Sequence, residues 1–174
     1  IDILVNNAGG TIIPIDVSSP ATISEVDAHR VVDINFMSTI NCCRAVAPYL
    51  RRPGASIINI GTVNAEWEAP GAKQALYSAV KAAVIRYTRS LAVELRPEGI
   101  RANCISPGYI ETPRVAAQAA LRPGLSRNEL LSDIPLRRPG RSEDVSSVVA
   151  FLASASSGYV TGNNIRVSGG LKLT

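Results

Sequence analysis

Tyr77 and Lys81 stand four positions apart in a chain of 174 residues, a spacing that puts both side chains on one face of a helix. A fixed ammonium beside a phenol favours the phenolate, so Lys81 is expected to draw the Tyr77 pKa down toward working pH. Such a pair can pass a proton to or from a carbonyl oxygen. The same spacing also describes a half-buried aromatic beside a solvated amine, so the neighbouring elements decide between the two readings.

Those neighbours read as alternating strands and helices. Ile57-Ile58-Asn59-Ile60 is a β-branched run that predicts a buried strand delivering Gly61 and Thr62 to its carboxyl end. Ile100 to Ser106 predicts a second strand, stopped at Pro107-Gly108. The helix between them, carrying Tyr77 and ending before Pro97 and Gly99, completes a βαβ unit with parallel strands. Upstream, Ile1 to Val5 predicts a strand running into Asn6-Asn7-Ala8-Gly9-Gly10, where small residues let a backbone approach a ligand. From about Ser24 to Leu50, the residues Val31, Val32, Ile34, Phe36 and Ile40 suit a long buried helix. Ser142 and Asp144 can open a last helix, Val145 to Ala153, before a short strand at Ile165 to Val167. This order implies one α/β domain over residues 1–174, and ligands bind at the carboxyl ends of strands in such sheets.

In this order the chain resembles the short-chain dehydrogenase/reductase family. The likeness is carried by Asn6-Asn7-Ala8-Gly9, Asn35, Gly61-Thr62, Tyr77-x-x-x-Lys81, Pro107-Gly108-Tyr109-Ile110-Glu111-Thr112, and Tyr159-Val160-Thr161-Gly162 ahead of Gly169-Gly170. It implies a doubly wound, Rossmann-like parallel sheet in three αβα layers, and NAD or NADP as cofactor. It makes Tyr77 the proton donor in ketone reduction and the base in alcohol oxidation, while Lys81 tunes Tyr77 and holds the nicotinamide ribose. Asn35 resembles the amide that holds a relay water, although an Asn serving a local helix irregularity fits the position too. Asn6, Ala8 and Gly9 resemble the adenosine-side wall, with Asn7 structural. Pro107, Gly108, Ile110 and Thr112 resemble the nicotinamide side, with Ile110 acting through its backbone and Thr112 through its hydroxyl. Family resemblance also implies a homodimer or homotetramer built on helices near residues 28–50 and 76–96, and a small-molecule alcohol or carbonyl substrate.

Three features depart from that pattern. Thr62 replaces the usual Ser, keeping the hydroxyl donor but adding a methyl that stiffens χ1. Thr62 and Tyr77 are separated more widely than is usual, enlarging a loop that holds Trp67 between Glu66 and Glu68. Trp67 there can stack on a cyclic substrate or cover the core. The glycine-rich turn that receives a pyrophosphate on a helix N-terminus is not found, so the chain reads as N-terminally truncated, with an apolar strand edge left uncovered. Pro113 to Leu136, rich in Ala and Leu with Pro123-Gly124 in the middle, reads as a two-part lid at about 113–136.

Composition bounds the remaining classes. A hydrophobic content of 46% over 174 residues supports a real core, and no apolar run reaches the roughly 20 residues needed to span a bilayer. The charge of +4 is densest at Arg137-Arg138-Pro139-Gly140-Arg141, which lacks interleaved aromatics and reads as solvated surface, so no nucleic acid or membrane partner is expected. Cys42, Cys43 and Cys104 have no metal spacing, and adjacent thiols in a helix suit a reducing, cytoplasmic compartment. His29 is the single histidine, which speaks against a multi-histidine metal site. Two other readings stay open: a non-catalytic remnant or interaction module on the same scaffold, and an epimerase or dehydratase sharing Y-x-x-x-K.

Overall fold

Ile57 and Ile58 are adjacent and both fully excluded from solvent, which requires a strand covered on both faces. In the computed structural model, which describes residues 1–14, 17–67, 74–120 and 131–171, they lie on β2 (Ser56–Ile60). Strand β2 sits between β1 (Ile3–Asn6) and β3 (Arg101–Pro107), and β4 (Asn164–Val167) follows β3. All pairings among these strands are parallel, in the order β1-β2-β3-β4. Helices α1 (Glu25–Val32), α2 (Ser38–Val46), α3 (Ala75–Glu94), α4 (Pro113–Ala120) and α5 (Ser142–Ala153) connect or flank them. Period-2 alternation splits the core. Ile57 packs with Cys43 of α2 and Leu91 of α3, whereas Ile58 and Ile105 pack with Leu152 of α5 on the opposite face. Each such isoleucine contributes roughly 1.5–3 kcal/mol through burial. The three αβα layers expected from the sequence are therefore present.

The long helix predicted over 24–50 is there, but its buried face is not the aliphatic one. Between α1 and α2 the backbone widens into a π-helical turn, Asp33–Met37, and the buried positions run Val31, Asn35, Thr39, Cys43. Val32, Ile34, Phe36 and Ile40 are only half-buried. Polar and small side chains occupy the inner stripe because that face meets a polar network rather than a greasy one. The Asn6 amide donates to Asn59 Oδ1 (2.8 Å) and toward Cys43 Sγ (3.3 Å). Asn59 donates to Thr88 Oγ1 (2.8 Å), and Thr88 donates to the Val84 carbonyl (2.7 Å). One chain of hydrogen bonds thus fastens β1 to β2 and both to α2 and α3.

The last helix starts as read. Asp144 accepts from the Arg141 backbone (2.7 Å) and pairs with Arg138, so part of the basic stretch serves a helix end. Strand β1 borders only β2 among the described residues, and Ile3 and Val5 are 46% and 40% exposed, matching the uncovered apolar edge expected above. The first part of the expected lid is helix α4; residues 121–130 lie outside those described. Trp67 is half-buried.

Asn59 is the joint of the polar network and fully buried. Asn59→Ala strands the Asn6 amide and is expected to cost about 1–3 kcal/mol of stability in urea unfolding. A loss below about 0.5 kcal/mol, the size of a neutral surface change, would show that the network does not hold the sheet.

Candidate active site

Parallel strands that all end at the same edge create a cleft there, and the catalytic candidates meet in it. Thr62 lies just beyond β2, while Tyr77 is in the first turn of α3 with Lys81 one turn further on. The cleft has a volume of about 550 Å³, and its walls include Gly9, Thr62, Tyr77, Lys81, Ile110 and Thr112.

Asn35 acts on the cleft from behind. It is fully buried, accepts from Gly10 N (2.8 Å), and donates to Gly10 O (3.2 Å) and Val31 O (3.0 Å). The bond to Val31 serves the π-helical turn, so the amide both repairs the helix irregularity and grips the loop after β1. Gly9 makes this possible. Its φ is +142°, and a Cβ there would lie 2.7 Å from Asn35 Oδ1, closer than real side chains come, and a tight 3.2 Å from Lys81 Nζ.

Thr62 and Tyr77, far apart in sequence, meet as walls of the same cleft, and the Thr62 hydroxyl favours the ionised form of the phenol. Burial opposes this and dominates, so the phenol sits above its usual value. The Arg114 guanidinium is a weaker influence in the same direction as Thr62. The expectation that Lys81 lowers the Tyr77 pKa is corrected here. Lys81 is 3% exposed, donates to the Ile60 carbonyl at the end of β2 (2.9 Å), and is itself pushed down by burial. Burial thus favours the neutral form of each group, against the phenolate that proximity to an ammonium suggests.

The cofactor-side candidates divide. Gly9, Pro107, Gly108, Ile110 and Thr112 line the cleft; Asn6 and Ala8 are not among its described walls. The Asn6 side chain is turned inward to Asn59, and Asn7, expected to be structural, lines the cleft instead. The alternation of a strand explains the exchange, since neighbouring side chains point to opposite sides. Gly108 leaves room for Ser168, whose Cα would be 2.8 Å from a Cβ at that position. The backbone of Ile110 runs parallel to Gly140, with Gly140 N donating to Tyr109 O and Glu111 N to Gly140 O. That pattern leaves the N–H and C=O of Ile110 itself turned away from Gly140. Thr112 caps α4, its hydroxyl accepting from Val115 N (3.2 Å), and can still donate elsewhere. A cleft walled by close-approaching backbone at the carboxyl ends of parallel strands suits a nucleotide.

Two participants carried no motif in the sequence: Arg114 and the Ile60 carbonyl. Arg114 follows the Thr112-Pro113 helix start and donates to Thr11 O (2.8 Å); only its position after that start marks it. Cys43 and Cys104 are buried thiols, pushed up to about 11 and about 12 by burial, and neither is poised to react.

Comparison with known proteins agrees with this geometry. A family model described as Enoyl-(Acyl carrier protein) reductase matches residues 1–172. The chain is 40% identical to a 3-oxoacyl-(acyl-carrier-protein) reductase of Thermotoga maritima, over 99% of its own length and 67% of the relative's. It is also 40% identical to a cyclohexanol dehydrogenase of Rhodococcus sp. strain TK6, over 98% of its length and 63% of the relative's. Among solved structures, a short-chain dehydrogenase/reductase from Brucella melitensis superposes with a TM-score of 0.87 at 34% identity, covering 100% of this chain and 66% of that one. A 3-oxoacyl-(acyl-carrier-protein) reductase with bound NAD, from the same organism, gives 0.83 at 31%, covering 99% and 63%. The chain therefore spans about two thirds of the length of its relatives. A match running through nearly every residue, on a sheet that brings Thr62, Tyr77 and Lys81 to one edge, leaves one conclusion: the chain belongs to the short-chain dehydrogenase/reductase family.

Proposed function

We propose that this chain carries the catalytic edge of an NAD- or NADP-dependent oxidoreductase that interconverts an alcohol and a carbonyl, with Tyr77 as the proton-transfer residue. The observation that carries the reading is the meeting of Thr62, Tyr77 and buried Lys81 in one cleft at the carboxyl end of a parallel sheet. Two named relatives, a reductase of a 3-oxoacyl group and a dehydrogenase of cyclohexanol, act in opposite directions on the same pair of functional groups.

The division of labour follows from the side chains. Nicotinamide, when bound, supplies hydride to the carbonyl carbon or takes it from the alcohol carbon. Tyr77, kept protonated by burial, hands its proton to the carbonyl oxygen as negative charge develops there, and Thr62 hydrogen-bonds the phenolate that remains. In the reverse direction the phenolate takes the hydroxyl proton. Lys81 and Tyr77 would hold the nicotinamide ribose, Ile110 and Thr112 its carboxamide, with Pro107 and Gly108 behind them; Gly9, with Asn7 in the place expected of Asn6, would stand toward the adenosine. Asn35 keeps Gly9 and Gly10 in place. The same reading gives a cytoplasmic homodimer or homotetramer, with a small-molecule substrate and no nucleic acid or membrane partner. No helix among the described residues is long and apolar enough to cross a membrane.

Two measurements on the complete protein test this. Tyr77→Phe removes only the hydroxyl, and NAD(P)H oxidation with a ketone is expected to fall by about 100- to 10,000-fold; retained turnover would falsify the assignment. The second is a pH profile. Because burial raises the Tyr77 pKa, reduction, which needs the phenol, is expected to stay level through neutral pH. Alcohol oxidation needs the phenolate and is expected to climb with pH. Thr62→Val removes the hydrogen bond that favours phenolate and moves the oxidation limb to higher pH. An unmoved limb would take Thr62 out of the proton's surroundings.

A further inference from the structure

Thr62 opens a tight turn, Val63–Ala65, that carries the chain away from the end of β2. Its hydroxyl oxygen accepts from Asn64 N (3.3 Å), and its carbonyl accepts from Ala65 N (3.1 Å). With a lone pair committed to Asn64, the hydroxyl keeps its proton for a partner in the cleft. A β-branched side chain has few ways to turn about its first bond, so the direction of that proton follows the direction of the turn. Whatever seats the turn therefore aims Thr62.

The turn is seated at both ends on the same pair of strands. Before it, Gly61 lies close against β3: a Cβ there would be 3.0 Å from Cys104 Sγ and 3.0 Å from Ser106 Oγ. After it, the Glu66 backbone closes the turn by donating to Val63 O (3.1 Å), and the Glu66 carboxylate reaches β4. Its Oε1 accepts from the Asn164 amide (3.0 Å) and its Oε2 from Arg166 Nε (2.6 Å). Asn164 and Arg166 are two positions apart on one strand and so share a face of it, beside Cys104 and Ser106 of β3. Asn164 is itself held, since its Oδ1 accepts from the Ser106 hydroxyl (2.8 Å). The strand atoms that crowd Gly61 at the front of the turn thus belong to the same network that Glu66 joins at the back.

Glu66 is not among the described walls of the cleft, and a partly exposed ion pair adds little to stability. What the clasp removes is freedom in the turn that starts at Thr62. Resting on the oxidoreductase reading above, we infer that Glu66 is a positioning residue for proton transfer: by fastening the far end of the turn to Asn164 and Arg166, it holds the Thr62 hydroxyl toward Tyr77. Without the carboxylate, Thr62 keeps its hydroxyl and loses its aim.

The test uses the complete protein with cyclohexanol and NAD or NADP, read by nucleotide reduction, and combines Glu66→Ala with Thr62→Val. Glu66→Ala is expected to lower kcat about tenfold, within the roughly hundredfold that a misplacement of about 1 Å can cost, and to leave KM for cyclohexanol little changed. Direct electrostatics acts the other way, because removing a carboxylate favours the phenolate that oxidation needs. Glu66→Gln, which keeps an oxygen for the Asn164 amide, is expected to recover part of the loss. The deciding quantity is the coupling: in a Thr62→Val background, Glu66→Ala is expected to cost nothing further, because the hydroxyl it aims is gone. Losses that multiply would overturn the inference and make Glu66 a strut of the loop, and so would an unchanged kcat in Glu66→Ala. In either case, turnover that Tyr77→Phe abolishes leaves the oxidoreductase reading intact. Trp67, the single tryptophan and the residue after Glu66, gives a readout that needs no substrate. Its emission is expected to move to the red in folded Glu66→Ala as the turn lifts from the sheet, and an unmoved emission overturns the inference.

Discussion

The grip of Asn35 on Gly10 is the constraint on which the site depends. A carboxamide matches a peptide group donor to acceptor, so the one side chain reads both Gly10 N and Gly10 O and fixes the loop after β1 in place and in orientation. This works only because the helix opens into a π turn at Asn35, freeing the Val31 carbonyl that takes the amide's second proton, and because Gly9 presents no Cβ to either Asn35 or Lys81. The π turn and the bare Gly9 therefore come as one unit with the grip they permit. A substitution that regularised any of them would leave a buried polar group without a partner, a penalty of about 1–3 kcal/mol, and would loosen the wall against which substrate and cofactor must meet.

The sequence revealed the scaffold because two periodicities survive in it. Alternating β-branched runs such as Ile57 to Ile60 have few alternatives to a buried parallel strand, and the stops at Pro97-Gly99 and Pro107-Gly108 bound the elements between them. Tyr77 and Lys81 were legible for the same reason: one turn of helix is a short-range relation. The inner face of the helix before β2 was not. Its stripe of Val31, Asn35, Thr39 and Cys43 is half polar, and hydrophobic periodicity points to the half-buried Val32, Ile34, Phe36 and Ile40 instead. Asn59 was hidden by being an amide inside an apolar strand, and its partners Asn6 and Thr88 are 53 and 29 residues away. Asn6 and Asn7 were interchanged because a repeated residue gives no clue to which of two faces each one takes. Arg114 reaches 103 residues back to Thr11, a relation only the closed sheet creates.

The electrostatic state of the site differs from what proximity alone suggests. An ammonium one turn away looks like a device for ionising a phenol, yet desolvation acts on both members. It raises Tyr77 and lowers Lys81, so burial favours the neutral form of each. A buried phenolate–ammonium pair would need its full Coulomb attraction to offset two desolvation penalties, and here the Lys81 ammonium is directed at the Ile60 carbonyl. The resting site keeps its proton on oxygen, which is the form a carbonyl acceptor requires.

That resting state also explains why the cations at the two ends of the site are not equivalent. Lys81 is sealed behind the phenol at 3% exposure, with its charge offset by a carbonyl dipole, and it answers to changes inside the cleft. Arg114 is in water, where its charge is cheap to keep and strongly screened, so its pull on the phenol ranks behind burial and the Thr62 hydroxyl. A charge held in water costs little and does little; a charge held out of water is expensive and acts strongly on its neighbours. The proton on Tyr77 is therefore governed by how dry the cleft is and by the hydroxyl of Thr62 more than by the nearest cation.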